Sequence, residues 1–411
     1  MSAHPGEREL ETTGRSVVVL SDGVRGDRDA TELALRALAG IATVVSTADV
    51  RDGSVDEDAM ANAEAIAFET LEIAVVARDP ATLEAALGRE GAPRDAILAI
   101  EPELVLHAIE AEPVQPAPKF EDDAEFTWGL HATAADVAAA TGRGIRVAVL
   151  DTGFDLEHPD FAGRSIMTQS FVPGETVKDG QGHGTHTTGT ACGSADPPSG
   201  RRYGVAAEAE IFAGKVLGDS GSGTDASILA GIDWAITNSC QLISMSLGAD
   251  IRQVSRTYET VGQRALAAGT LIIAAAGNNA DRRRNEVGFV GVPANSPSIM
   301  AVAAVDADLQ IANFSAAATA VAGGEIDIAG PGVAVYSSWP MPRRTNKISG
   351  TSMATPHVAG IAALWAQAGD LSAKALWDAL VQHALKLDLP ASDVGAGLAQ
   401  APAPAPPPAP G

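Results

Sequence analysis

Between residues 144 and 306 five short runs are apolar almost without a break: GIRVAVLD at 144–151, AEIFAGKVL at 209–217, CQLISMSLG at 240–248, TLIIAAAGN at 270–278 and SIMAVAAVD at 298–306. A strand with one wet face alternates apolar and polar side chains. These do not, so both of their faces have to be covered. Stretches with helical period separate them, DASILAGIDWAITN at 225–238 and VSRTYETVGQRALAAG at 254–269. That alternation predicts an α/β fold, a mostly parallel sheet with helix layers on both sides. In such folds chemistry gathers at the carboxyl ends of the strands, and Asp151, Gly248 and Asn278 stand there.

The chain ahead of residue 127 follows another pattern, and 411 residues suit two compact units. Residues 16–110 read as a small α+β unit, with strands at 16–20 and 72–77, helices at 29–39 and 80–88, and AILAIEPELVLHA as a closing strand or hairpin. The stretch 111–126, AEPVQPAPKFEDDAEF, joins three prolines to five acidic residues without an apolar period and reads as a linker. The second unit then runs over 127–395, and the proline-alanine stretch at 400–411 reads as a disordered tail. A net charge of −24 argues against nucleic acid and anionic membrane as partners. Cys192 and Cys240 read as buried free thiols. The charged opening MSAHPGERELE predicts neither a signal peptide nor a membrane anchor.

Three segments carry the chemistry: VAVLDTGFD at 147–155, GHGTHTTG at 182–189 and SGTSMATPHVAG at 349–360. They deliver Asp151, His183 and Ser352. A serine hydroxyl is a poor nucleophile at neutral pH until an imidazole takes its proton, and a carboxylate best holds that imidazole in tautomer and orientation. Taken singly, Asp151 reads as a strand-end turn residue, Ser352 as a helix N-cap and Asn278 as a Gly-Asn turn; together they point to acyl transfer. HGTH could be half of a metal site, but no HExxH motif or close cysteine accompanies it. Ser352 opens an apolar helix whose free N–H groups can stabilise a developing oxyanion, and Asn278 adds a second donor. The Asp, His, Ser order and the lack of a GxSxG elbow exclude an esterase of the common α/β type. The run GDSGSG lacks the strand-turn-helix layout of a nucleotide loop.

On these motifs, over about residues 127–385, the chain resembles the subtilisin-like serine peptidases of family S8. The resemblance implies a three-layer α/β fold preceded by a small propeptide-like domain. It further implies a serine endopeptidase acting on extended polypeptides through the Asp151, His183 and Ser352 triad. Asn278 and the Ser352 N–H would form the oxyanion hole with Thr351 as a supporting donor, and no cofactor enters the chemistry. Gly221, Ser222 and Gly223 match one substrate-pairing strand; Ser246, Leu247 and Gly248 match the other. Ala275, Ala276, Gly277 and Gly291 complete a pocket suited to a large apolar side chain. Asp160 resembles one ligand of a structural calcium, although Pro197, Pro198, Arg201 and Arg202 stand where relatives have an asparagine-containing loop. The 16–110 unit would act as intramolecular inhibitor, with LVLHAIEAE at 104–112 entering the cleft and self-cleavage falling near Ile109. The family implies export, with cytoplasmic residence as the alternative that the missing signal segment suggests, and a catalytically silent peptide-binding homologue is the alternative to a working enzyme.

Overall fold

The computed structural model describes residues 11–24, 26–48, 63–109, 119–320 and 322–403. The N-terminal unit contains strands β1 (Thr12–Leu20), β2 (Val44–Ser46), β3 (Ala65–Phe68), β4 (Ile73–Val76) and β5 (Ile97–Ala108), with helices α1 (Arg28–Ala39) and α2 (Pro80–Leu87). Asp27 and Asp79 start the two helices by accepting from Ala30 N and Thr82 N, both at 2.9 Å. The run VVVL in β1 is continuous because both of its faces are covered. Val18 and Leu20 pack with Leu35, Leu38 and Leu83 of the helices, whereas Val17 and Val19 pack toward the second unit. The closing element is one twelve-residue strand, β5, and not a hairpin.

The second unit is built on a parallel sheet in the order β14–β13–β12–β10–β6–β8–β7. Its strands are β6 (Arg146–Asp151), β7 (Ile166–Ser170), β8 (Glu210–Lys215), β10 (Leu242–Met245), β12 (Leu271–Ala275), β13 (Met300–Val305) and β14 (Ile328–Pro331). Alternate residues feed two cores. Val147 and Val149 pack with Ala191, Val358 and Ile361 on one face, from α4 (His183–Cys192) and α7 (Thr351–Gly369). Ala148 and Leu150 pack with Ile228, Ile232 and Val261 on the other, from α5 (Asp225–Thr237) and α6 (Arg256–Ala267). This is the covered parallel sheet the sequence predicts, and α3 (Trp128–Ala132) and α8 (Ala373–Gln382) complete the described helices used below.

The N-terminal sheet lies on α5 and α6 and is fastened there by charge. Glu101 accepts from Ser255 Oγ, Arg256 N and Thr257 N at the start of α6, at 2.8, 2.8 and 2.9 Å. Two residues on, Glu103 accepts from Ala226 N at the start of α5 at 3.0 Å. Each carboxylate satisfies N–H groups that a helix cannot satisfy itself. Arg264 of α6 reaches back to pair with Glu72 at 2.7 Å and donates to Leu20 O at 3.0 Å.

The expected linker lies outside the described residues over 111–118, but its second half is docked rather than free. Lys119 N donates to Asp308 Oδ1, Phe120 N to Ala307 O, and Asp122 pairs with Arg201 and Lys347. The acidic run is therefore a set of turn acceptors and ion-pair partners. The start of the expected tail is likewise packed, with Ala401 buried and its N–H on Thr133 O at 2.9 Å, while 404–411 lie outside the described residues.

His131 of α3 bridges Asp136 (Nδ1, 2.7 Å) and Asp123 (Nε2, 3.0 Å) and so ties the 119–127 segment to the body. Partial burial opposes its charge, but the hydrogen bonds and charges of the two aspartates outweigh that and raise its pKa. The folded state therefore binds the proton more tightly than the unfolded chain. The staple is complete below the ordinary imidazole value of about 6.5 and is lost as pH rises through the raised value. Melting temperature should decline across that interval, and a His131→Asn protein should lack this part of the slope.

Candidate active site

β6 ends at Asp151, whose buried carboxylate collects three donors: His183 Nδ1 at 2.8 Å and Thr152 N at 2.7 Å on Oδ1, and Thr187 Oγ1 at 3.0 Å on Oδ2. His183 is the first residue of α4, so its ring leaves the helix where the chain passes closest to the strand end. That approach depends on glycine: a Cβ on Gly184 would stand 2.3 Å from Gly153 O. The approach loop is organised by Asp179, which sequence reasoning missed. Its Oδ1 accepts from Thr152 Oγ1, Gln181 N and Gly182 N, and its Oδ2 from Thr185 N and Oγ1. A DGxG turn directly ahead of a helix was the available signal. Lys215, fully buried at the end of β8, donates to Thr152 O at 2.6 Å and pairs with Asp219 at 2.7 Å and Glu175 at 3.1 Å.

The second histidine of HGTH is not a ligand. His186 Nε2 donates to Val335 O at 3.0 Å, and burial pushes its pKa down to about 3. Asp160, the expected calcium ligand, is already neutralised. Its Oδ1 accepts from Arg344 Nη2 at 2.8 Å and Ser199 N at 3.1 Å, and its Oδ2 from the Tyr203 hydroxyl at 2.8 Å. Burial raises its pKa, yet those partners outweigh burial and hold it low. A guanidinium stands where the cation was expected, so these residues do not fit a calcium site. Among the described residues no group of three His, Cys, Asp or Glu side chains is placed to hold a metal ion.

Ser352 is the second residue of α7, fully buried, and its Oγ donates to Ser246 O at 2.9 Å while Ser246 Oγ donates to Ser352 O at 2.7 Å. The reciprocal pair ties the helix start to the end of β10. α4 and α7 pack side by side, a Cβ on Gly360 lying 2.9 Å from Ala191 O, and both begin at the carboxyl end of the sheet. Asn278 lies three residues beyond β12. Its Oδ1 accepts from Thr351 N and Thr351 Oγ1, both at 3.0 Å, which leaves its buried Nδ2 without a hydrogen-bond partner among the described residues. Thr351 thus differs from expectation: its only hydroxyl proton holds the far end of the Asn278 amide and aims it, rather than serving as a third donor.

Around this point the two units meet. β5 runs between β9 (Ser222–Thr224) and β11 (Leu247–Gly248), antiparallel to both: Leu106 faces Gly223, His107 faces Ser222 and Gly248, and Ala108 faces Leu247. Ala108 N donates to Gly221 O at 2.8 Å. The next residue, Ile109, follows the end of β5 and lies in the site. An atom placed as Cβ on Gly350 would be 2.7 Å from Ile109 O, 3.0 Å from Asn278 Nδ2 and 3.6 Å from Ser352 N, so a carbonyl, the free amide and a helix N–H converge. The Ile109 side chain lies beside Gly248, its Cδ1 3.1 Å from where a Cβ would stand. Ala275 ends β12, and Ala276 and Gly277 follow it into the same region, with Gly277 N donating to Thr351 Oγ1 at 3.2 Å. Gly291 serves the backbone bridge between Ala249 and Val292: a Cβ on it would stand 2.3 Å from Ala249 O.

Residues 142–397 match the Subtilase family, Peptidase S8. The chain belongs to the subtilase family. Among curated relatives it is 42% identical over 255 residues to M-protease of Shouchella clausii (strain KSM-K16), covering 59% of this chain and 62% of that protein. It is 44% identical over 227 residues to subtilisin E of Bacillus subtilis (strain 168), covering 54% and 56%. An alkaline protease of Alkalihalobacillus alcalophilus is 41% identical over 274 residues, 64% of this chain and 67% of the relative. The chain thus spans about three fifths of the length of the first two subtilases. The family assignment carries the three-layer fold, and none of the helices described is long and apolar enough to cross a membrane.

Proposed function

We propose that this subtilase is a serine endopeptidase made as a self-processing zymogen. Ser352 attacks the scissile carbonyl, His183 takes its proton and returns it to the leaving amine, and Asp151 holds the Nδ1–H tautomer and supports the imidazolium. Asn278 Nδ2 and Ser352 N receive the oxyanion. One observation carries the reading: a strand of the chain's own N-terminal unit lies between two cleft strands, as a peptide substrate would, with its carbonyl at Ile109 beside an unpartnered amide donor. The N-terminal unit then acts as intramolecular inhibitor, the cut falls after Ile109, and extended polypeptides are the substrates. The Gly248 contact favours an apolar side chain at the residue before the cut.

The test is a time course of the purified full chain by intact mass, run beside casein hydrolysis, with and without phenylmethanesulfonyl fluoride. Loss of 109 residues followed by casein hydrolysis, both stopped by the sulfonylating reagent, is expected. A chain that stays whole and silent, even after limited proteolysis of its N-terminal unit, would instead be a peptide-binding homologue.

Asn278→Ala should lower kcat by about 10²–10³ and leave KM nearly unchanged, because the amide meets charge that exists only on the way to the intermediate. That magnitude is carried over from subtilisin itself. Steady-state kinetics on a peptide substrate check it, and an equal rise in KM would mean the amide binds ground-state substrate instead.

A further inference from the structure

The ladder between β5 and β9 ends where Val105 stands opposite Thr224. Ala108 N reaches Gly221 O, and Leu106 stands opposite Gly223 two residues further back. Another step of two brings Leu104 opposite residue 225, where an antiparallel ladder calls for a backbone carbonyl. The chain has by then turned into α5, of which Asp225 is the first residue. The side chain supplies the acceptor: Leu104 N donates to Asp225 Oδ2 at 2.7 Å. Its other oxygen is fixed from α6, accepting from the fully buried Tyr258 hydroxyl at 2.7 Å. Leu104 is the sixth residue back from the cut proposed after Ile109.

We infer that Asp225 is a substrate-reading residue, accepting the backbone N–H of the sixth residue before the scissile bond and so extending the cleft beyond its β-pairing. The inference rests on the peptidase reading above. It concerns the same carboxylate after the N-terminal unit has left. In the intact chain burial pushes Asp225 up to about 7, against the pull of Leu104 N and Tyr258, with Glu103 and Glu101 adding to the rise. Both glutamates belong to the departing strand, so its release removes two charges that disfavour the carboxylate form of this acceptor. The fifth residue is different: Val105 N turns the other way and donates to Glu11 O of the N-terminal unit at 3.0 Å, so the peptidase unit does not read it.

The experiment uses the self-processed full chain and fluorogenic peptides long enough to pass the sixth position. In one peptide the N–H of the sixth residue is replaced by an ester oxygen, in a second that of the fifth, and a third peptide stops at the fifth residue. The sixth-position ester should lower kcat/KM by about three- to tenfold, the worth of one hydrogen bond of this kind, and the fifth-position ester by less than twofold. Asp225→Ala should abolish the difference between the two esters; Asp225→Asn, which keeps an acceptor, should retain most of it. Equal rates for the two esters on the wild-type protein overturn the inference, whatever the variants do. Failure to cut even the short peptide would instead remove the peptidase reading beneath it.

Discussion

Ser352→Ala should leave a protein that keeps all 411 residues and hydrolyses casein at least about 10⁶-fold more slowly, the fall measured for the nucleophile of subtilisin, with the inhibitor strand still in the cleft adding to it. The methyl group keeps the volume at a fully buried position. It forfeits one neutral hydrogen bond, Ser352 Oγ to Ser246 O, worth about 1 kcal/mol. The helix start remains tied by the opposite bond, from Ser246 Oγ to Ser352 O. Fold and docking should survive, since Glu101, Glu103 and Arg264 hold the units together well away from the serine. Intact mass and melting temperature separate the two effects. Shedding of the N-terminal unit by the purified variant at the wild-type rate would show that the cut does not depend on this hydroxyl.

The sequence displays Asp151, His183, Ser352 and Asn278 because each sits in a glycine-rich or small-residue motif at a strand end or helix start, where local chemistry is legible. The apolar runs of the parallel sheet are equally plain. Less visible are residues whose meaning comes from a distant partner. Glu101 looks like any surface acid until α6, more than 150 residues on, presents its free N–H groups. Asp225 reads as an ordinary first-turn acid of α5, and Asp160 as a calcium ligand, until Leu104 and Arg344 arrive from elsewhere in the chain. The acidic run at 119–126 misleads for the same reason: its carboxylates face Arg201, Lys347 and His131, which the sequence does not place nearby. Strands β2, β3, β7 and β14 escape notice because they hold three to five residues, and β14 contains both Gly330 and Pro331.

Asp151→Asn should cost about 10⁴ in kcat with little change in KM, the fall known for the same exchange in another serine peptidase triad. The surroundings of Asp151 explain why its charge matters apart from its shape. Thr152 N is a fixed backbone donor on Oδ1, so an asparagine would turn its oxygen there, while the rotatable Thr187 hydroxyl could accept from its NH₂. That rotamer keeps the Nδ1–H tautomer of His183 but removes the anion that supports the imidazolium. The opposite rotamer points an N–H at Nδ1 and drives the ring proton to the other nitrogen, where no base remains for Ser352. Either way the general base fails and binding does not. Because base and nucleophile act as one unit, the Asp151→Asn and Ser352→Ala changes together should fall no lower than Ser352→Ala alone. Single-turnover rates on one peptide decide this: losses that multiply would make Asp151 an independent contributor, such as a fold-stabilising strand-end acid, and would separate it from the proton transfer at His183.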